Sequence, residues 1–285
     1  MTVRPSALRR GEWWLTLPLA ALFVGFFLAP LGVLIVVSLY AQPEMTTLGV
    51  RQYAAVLADP FNLRTLTDTL LLGAKATAVC LLFGYPLAWV TARARPRVQA
   101  LLLFVVILPI LTSVVVRTFA WIVILGRQGI LNQAVLALGL AEEPIRILFS
   151  EAGVVMVLAQ VQMPLMVLPL VTALQKIDPN LADASTALGA GPWRTFWRVI
   201  APLSLPGVVA GCILVYAACT TAFITQTLIG GARLLYMPLF IYQQATGAQN
   251  WPLAGAASVV FMVSVLLVVY LLNLAGRTGR AQIYA

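Results

Sequence analysis

Between residues 14 and 275 the chain passes through six apolar stretches, each long enough to cross a bilayer as a helix, which takes about 20 residues. They fall at 14–40, 67–91, 98–125, 154–174, 207–229 and 253–275, each bounded by charge, Gly or Pro. Only 9% of the 285 residues are charged and 61% are hydrophobic. A soluble fold of this size needs about a quarter of its residues charged. Lipid is the solvent that suits such a chain, and in lipid every backbone polar group must be paired internally, which helices do. The expected fold class is an all-α membrane protein with six transmembrane helices: a tail at 1–13, the six-span domain at 14–275 and a second tail at 276–285.

The side chains that are missing exclude several chemistries. There is no His, which removes His triads, His metal sites and imidazole acid–base work. Cys80, Cys212 and Cys219 all lie inside apolar runs and read as core filler, so no metal site and no catalytic residue is expected. Lys75 is followed by Ala76 and Lys176 by Ile177, so the G-x-x-x-x-G-K-[ST] phosphate loop is absent.

Orientation follows from the placement of Lys and Arg. One side collects Arg4, Arg9 and Arg10, the Arg93–Arg95–Arg97 turn, Lys176, Arg194 and Arg198 of the 175–206 loop, and Arg277 and Arg280. The other holds Arg51, Arg64, Arg127, Arg146 and Arg233, set against Glu44, Asp59, Glu142, Glu143 and Glu151. Both termini are expected in the cytoplasm. The net charge of +9 is then a topology signal. With no basic soluble face, no nucleic-acid partner is expected.

The outer loops at 41–66, 126–153 and 230–252 are long enough for short surface helices, and 129–140 has the pattern of one lying at the membrane interface. The cytoplasmic 175–206 loop carries the densest local signals. Asp178-Pro179 provides an N-cap followed by Pro at the first helical position. A helix is expected to run from there to about Leu188, with Gly189 closing it. Gly191-Pro192 starts a second short helix carrying Trp193, Phe196 and Trp197, expected to end at Pro202 and Pro206 before the fifth span. A helical hairpin bracing the bundle would explain all this without a partner.

The string itself is more specific. Asp183-Ala184-Ser185-Thr186-Ala187-Leu188-Gly189, followed after nine residues by Val199-Ile200-Ala201-Pro202, resembles the E-A-A-x-x-x-G-(x9)-I-x-L-P signature of permease subunits of binding-protein-dependent ABC importers. It lies in the last cytoplasmic loop, where that family places it. Asp183 replaces Glu, keeping the charge with one methylene less reach, and Ser185 replaces the second Ala. Residues 116–121, the Gly126…Gly129…Asn132 loop, Pro144-Ile145-Arg146, Leu203-Ser204-Leu205-Pro206-Gly207, Gly230-Gly231 and Asn250-Trp251-Pro252 are similar to the spermidine/putrescine-type branch.

The resemblance implies a type I importer permease fold with a cytoplasmic coupling helix, in the inner membrane of a bacterial cell. It implies two ATPase subunits inside, using ATP and Mg on their own chains, and no cofactor on this one. It also implies an external substrate-binding protein and a second permease subunit, with a different chain favoured over a copy. Asp183, Ala184, Ser185, Leu188, Gly189 and Pro202 become the ATPase-coupling residues.

Polar groups inside the spans are the pathway candidates: Arg117, Gln160, Thr220, Thr221, Thr225, Gln226 and Thr227, with Gln162 beside them. Interhelical hydrogen bonding explains the Thr and Gln residues without any cargo, and Gly207-x-x-x-Gly211 reads as helix packing. Arg117 either snorkels outward or faces a subunit interface. Asp68 and Lys75 either form a relay on the second span or sit as an interfacial acid and a structural contact. Polyamine permeases tend to carry an acid before the outer Gly-Gly; here Thr227-Leu228-Ile229 precedes Gly230-Gly231. The cargo class stays open between a polyamine and a small zwitterionic or anionic solute, for which Arg117 supplies a counter-charge. An ion-coupled secondary transporter is the alternative; it predicts inverted repeats and broken spans carrying acids. An intramembrane enzyme would need catalytic groups that the spans do not offer.

Overall fold

The computed structural model describes residues 13–284. Among these the regular structure is helical, with loops between the helices and one isolated antiparallel bridge between Tyr40 and Leu48. In order the helices are α1 (Trp13–Phe23), α2 (Ala29–Ser38), α3 (Arg51–Ala58), α4 (Pro60–Arg93), α5 (Pro96–Leu111), α6 (Val114–Leu125), α7 (Ile130–Ala137), α8 (Glu151–Gln175), α9 (Pro179–Ala187), α10 (Pro192–Thr195), α11 (Ala201–Thr220), α12 (Phe223–Gly230), α13 (Met237–Tyr242) and α14 (Trp251–Tyr284). Six stretches among the described residues are long and apolar enough to cross a membrane: Leu17–Ser38, Pro60–Arg93, Val114–Ala137, Glu151–Gln175, Pro192–Thr220 and Trp251–Gly276. Pro96–Leu111 is apolar but shorter.

Two compact units are formed. One runs to Pro60 and takes in Ile241–Val260; the other is Phe61–Phe240 with the last helix from Phe261 onward. In the first unit, α1 and α2 are joined through a π turn at Val24–Leu28. Ser38 at the end of α2 meets the α14 backbone so closely that a Cβ on Gly255 would lie 3.2 Å from it. The Ser38 hydroxyl also shares a 2.6 Å hydrogen bond with the Tyr53 hydroxyl of α3.

The second unit is organised around α8, whose buried face carries Val154, Val157, Leu158, Met166, Val167 and Leu170. Ser150 caps its start by accepting from the Gly153 N–H at 3.2 Å. α11 packs along α8, and glycine is what lets it approach. A Cβ at Gly207 would come within 2.5 Å of Ala173, and one at Gly211 within 2.7 Å of the Met166 sulfur. The Gly207-x-x-x-Gly211 spacing is thus a packing seam, as close helix approach in lipid requires.

Three expectations are corrected. The stretch at 98–125 is two helices, not one: α5 ends at Leu111, Thr112 and Ser113 are extended, and α6 begins at Val114. Pro109, lacking an N–H, weakens the last turn of α5, and Thr112 and Ser113 compete for backbone partners. The stretch at 207–229 is likewise divided at Thr221–Ala222 into α11 and α12. There Thr220 and Thr221 turn their hydroxyls back onto the Tyr216 and Ala217 carbonyls. The second short helix of the 175–206 loop does not end at Pro202 and Pro206. It continues from α10 through a π turn at Phe196–Ile200 into α11. Pro202 follows the π turn directly in this continuous helix, and the wider turn accommodates the donor it lacks and its ring. The predicted interfacial helix at 129–140 is α7, which stops at Ala137; Gly139 follows with φ +66°.

Candidate functional site

Two regions of the second unit hold the sequence-derived candidates. At one end stands α9. Asp178 caps it, its carboxylate accepting from the Asn180 N–H at 2.9 Å, and Pro179 opens the first turn. Gly189 follows at φ +83° with open space around its α-carbon, the left-handed residue that ends the helix. α9 buries none of its residues. Asp183 and Ala184 are exposed, and Leu188 is 89% exposed. Ser185 faces inward, its hydroxyl 3.0 Å from that of buried Thr195 on α10. The Ser that departs from the family signature therefore ties the two arms of the loop together.

Beneath α9 the loop stands on aromatic rings. Phe196 meets Tyr85 and Trp89 of α4 edge-on, with centroids 5.6 and 5.5 Å apart. The Arg93 guanidinium lies 3.2 Å from the Trp89 ring centroid, a cation–π contact. Tyr85 also hydrogen-bonds Ser204 at 2.8 Å. The first turn of α11 is thus fastened to α4, while α9 is tied to α10 through Ser185 and Thr195 and buries none of its own residues.

The second region is where the two breaks meet. α12 packs against α6 and α8, and the Thr118 and Thr225 hydroxyls face each other at 3.5 Å. A cavity of about 480 Å³ opens there, lined by Arg117, Gln162, Thr221 and Thr225 among apolar neighbours, with no carboxylate in its wall. Neither α6 nor α12 has a side-chain N-cap. Broken helices are tolerated at membrane depth only where the free backbone is buried or lines a cavity; at the second break Thr221 and Ala222 line this cavity, while Thr112 and Ser113 of the first are exposed.

The breaks are closed by the same device. Arg117, in the first turn of α6, reaches back with Nη1 to the Pro109 carbonyl and to the Thr112 hydroxyl. Gln226, in the first turn of α12, donates from Nε2 to the Cys219 carbonyl at 2.8 Å and the Thr220 carbonyl at 3.0 Å. Gln226 satisfies two helix-end carbonyls that would otherwise lie orphaned in an apolar surrounding; the Pro109 carbonyl also accepts from the Thr112 N–H and hydroxyl, and Arg117 adds a further donor there. Arg117 Nε, Gln226 Oε1, Thr227 Oγ1 and Tyr216 Oη are buried without a partner.

Of the pathway candidates, Arg117, Thr221 and Thr225 come together in the cavity, joined by Gln162. Thr220 and Gln226 are buried in the break itself, and Thr227 is absent from the lining. Gln160 accepts from the Trp121 indole at 3.2 Å and lines a separate apolar groove of about 550 Å³. Lys75 pairs with Glu151 at 2.5 Å and Asp68 with Arg64 at 3.8 Å, so no relay links Lys75 to Asp68. From sequence, Trp121 enters only as part of the 116–121 string, with no role of its own, and Thr112 is not singled out. The Pro109-x-x-Thr112-Ser113 string was the signal for the second, a Pro and two hydroxyl residues inside an apolar run.

Comparison with known proteins identifies the family and the fold. The model of the family described as binding-protein-dependent transport system inner membrane component matches residues 84–277. A spermidine/putrescine transport system permease protein, PotB, of Haemophilus influenzae is 36% identical over 214 residues, covering 75% of each chain. A molybdenum transport system permease protein, ModB, of Azotobacter vinelandii is 33% identical over 215 residues, covering 73% of this chain and 93% of that one. Among solved structures, a bacterial ABC transporter involved in import of the acidic polysaccharide alginate matches with a TM-score of 0.73 at 17% identity, over 94% of this chain and 96% of that one. The same transporter in complex with an alginate pentasaccharide-bound periplasmic protein gives 0.69 at 18% identity.

Proposed function

This chain belongs to the family of binding-protein-dependent transport system inner membrane components, and on that premise we propose that it forms half of the translocation pathway for a small solute, with α9 as the helix through which ATPase subunits drive it. It is an inner-membrane permease component of an ABC importer and is not itself the ATPase. The observation that carries the coupling role is that α9 is capped at both ends and yet buries none of its residues. A short helix with exposed Leu181 and Leu188 gains little from being ordered unless a partner covers it.

The parts then divide as follows. Two ATPase subunits bind and hydrolyse ATP with Mg, and one of them receives Asp183, Ala184 and Leu188. Ser185 and Gly189 keep α9 at a fixed angle to α10. Movement passes through the π turn and Pro202 into α11, and so to the break at 221–222, where Thr221, Thr225 and Arg117 face the solute. A second permease subunit, a different chain, closes the other half of the pathway. Both termini and α9 lie in the cytoplasm, and an external binding protein delivers the cargo to the opposite end.

Two cargo classes have support. Relatives named for spermidine and putrescine favour a polyamine. The cavity wall, with one guanidinium and no carboxylate, favours a small zwitterionic or anionic solute. Competition against uptake by spermidine and by small anions separates the two. Broken spans also occur in ion-coupled secondary transporters, but there they come with intramembrane acids, which this cavity lacks.

The test is ATP-driven uptake by the assembled complex in proteoliposomes, with Gly189→Pro as the probe. Proline cannot adopt φ +83°, so the end of α9 is lost. Uptake is expected to fall by at least about tenfold with the subunits still assembled. Unchanged uptake would remove the coupling role.

A further inference from the structure

At the opposite end of the spans from α9, three arginines without a task in the scheme above line one cavity of about 440 Å³: Arg127, Arg146 and Arg233. Arg127 follows the end of α6, Arg146 precedes α8, and Arg233 follows α12. Ser150 is the polar neutral group among them, and no carboxylate lines the space. Among the described residues, Arg127 and Arg146 face no acid of their own chain here. Arg233 also borders a neighbouring cavity that holds Asp68 and Glu151, but those two carboxylates are paired with Arg64 and Lys75. Glu142 and Glu143 precede Arg146 in sequence, yet neither lines the cavity nor pairs with an arginine.

Like charges gathered around one opening repel, and the loops that hold them there are fixed by buried groups. Asn132, 1% exposed, donates to the Gly126 carbonyl at 2.9 Å and the Ile145 carbonyl at 3.1 Å, and accepts from the Ile145 N–H at 2.8 Å. It thereby binds the residue next to Arg127 to the residue next to Arg146. Phe149 donates its N–H to the Ile229 carbonyl at 3.0 Å. Its ring lies so close to Gly231, at φ +61°, that a Cβ there would come within 2.5 Å. The turn that delivers Arg233 is fitted to the segment leading into α8. Three chain-distant loops are thus locked so that their cations share one space.

We propose that this cradle is a carboxylate-binding site that receives acidic side chains of the external binding protein. It rests on the importer reading, with this end outermost. All three arginines are exposed and stand at helix ends, outside the apolar spans, where a docking protein reaches them. Guanidinium forks bind carboxylates through paired, charge-assisted hydrogen bonds, and a preorganised set lowers the cost of association. Complementary charge of this kind steers encounter and fixes register.

The experiment uses the assembled complex in proteoliposomes and the binding protein that supports its uptake. ATP hydrolysis is followed as binding protein is titrated. R146E, R127E and R233E are each expected to raise the half-saturating concentration about tenfold, with the saturated rate retained. R146K should recover most of the loss, and high salt should weaken the unmodified complex more than R146E. A binding-protein acid changed to Lys should restore R146E selectively. Half-saturation unmoved by all three reversals, or unmoved by salt, would overturn the proposal. So would a fall in the affinity of free cargo for the complex with the binding-protein titration unchanged, since that marks a cargo site. If the reversals fail to assemble, R146Q and the salt titration of the unmodified complex decide by the same criteria. No stimulation of the unmodified complex at all would remove the importer reading, and the cradle with it.

Discussion

α9 and the paired breaks are both short, polar interruptions of an apolar chain, and they are stabilised in opposite ways. α9 is held by local devices, the Asp178 cap, Gly189 at φ +83° and one hydroxyl pair from Ser185 to Thr195, while its outer face touches nothing in the chain. The breaks at 112–113 and 221–222 are held by long side chains that reach back across them, Arg117 and Gln226, and α12 after the second break packs against α6 and α8. A site completed by its own chain satisfies its backbone internally. A docking element leaves its surface for someone else. Substitutions should therefore separate: those at the breaks reduce the stability of the chain, and those on α9 reduce coupling with stability intact.

The largest stability effect is expected at Gln226. Gln226→Leu keeps the volume but leaves the Cys219 and Thr220 carbonyls unpaired in an apolar setting. An unsatisfied buried group costs about 1–3 kcal/mol. Removing the buried, unpartnered Gln226 Oε1 returns part of this, so the net loss should be about 2 kcal/mol. Thermal unfolding of the detergent-solubilised complex reads it as a lower midpoint. An unshifted midpoint would mean that the break does not depend on its clamp.

Ser185→Ala is expected to cost less, about 0.5–1.5 kcal/mol for one hydrogen bond, and to loosen α9 against α10. Uptake per ATP hydrolysed should fall modestly. A full loss of uptake would show that Ser185 does more than join the two arms. Asp183→Lys should have the smallest effect on stability, within about 0.5 kcal/mol as for an exposed site without partners, while the apparent affinity for the ATPase subunits drops. A large fall in midpoint for Asp183→Lys would erase the contrast between the two regions.

The sequence carried the features that depend on composition and on local rules. The apolar runs, the Asp178-Pro179 start, the Gly189 stop and the Gly207-x-x-x-Gly211 seam all follow from side-chain type and spacing alone. The breaks were not legible because an apolar run looks the same whether or not two residues within it leave the helical region. Thr112-Ser113 and Thr220-Thr221 read as polar residues on a rod rather than as its ends. Pro202 misled in the other direction, because a π turn before it lets the helix continue. Gln226 and Arg117 read as candidates for the cargo; the Gln226 amide nitrogen goes to the backbone and its side chain does not line the cavity, and Arg117 serves both a break and the cavity. The Arg127, Arg146 and Arg233 cradle joins loops separated by many residues, and only the Asn132 and Phe149 contacts bring them together.

The docking of α9 is tested most directly by chemical accessibility at Leu188, which is 89% exposed in the chain by itself. The native Cys80 and Cys219 are buried and Cys212 partly so, giving little background. Leu188→Cys should react readily with a maleimide in the isolated permease and about tenfold more slowly once the ATPase subunits are assembled, as expected when a partner removes water from the site. Equal rates of labelling with and without the ATPase subunits would contradict the account.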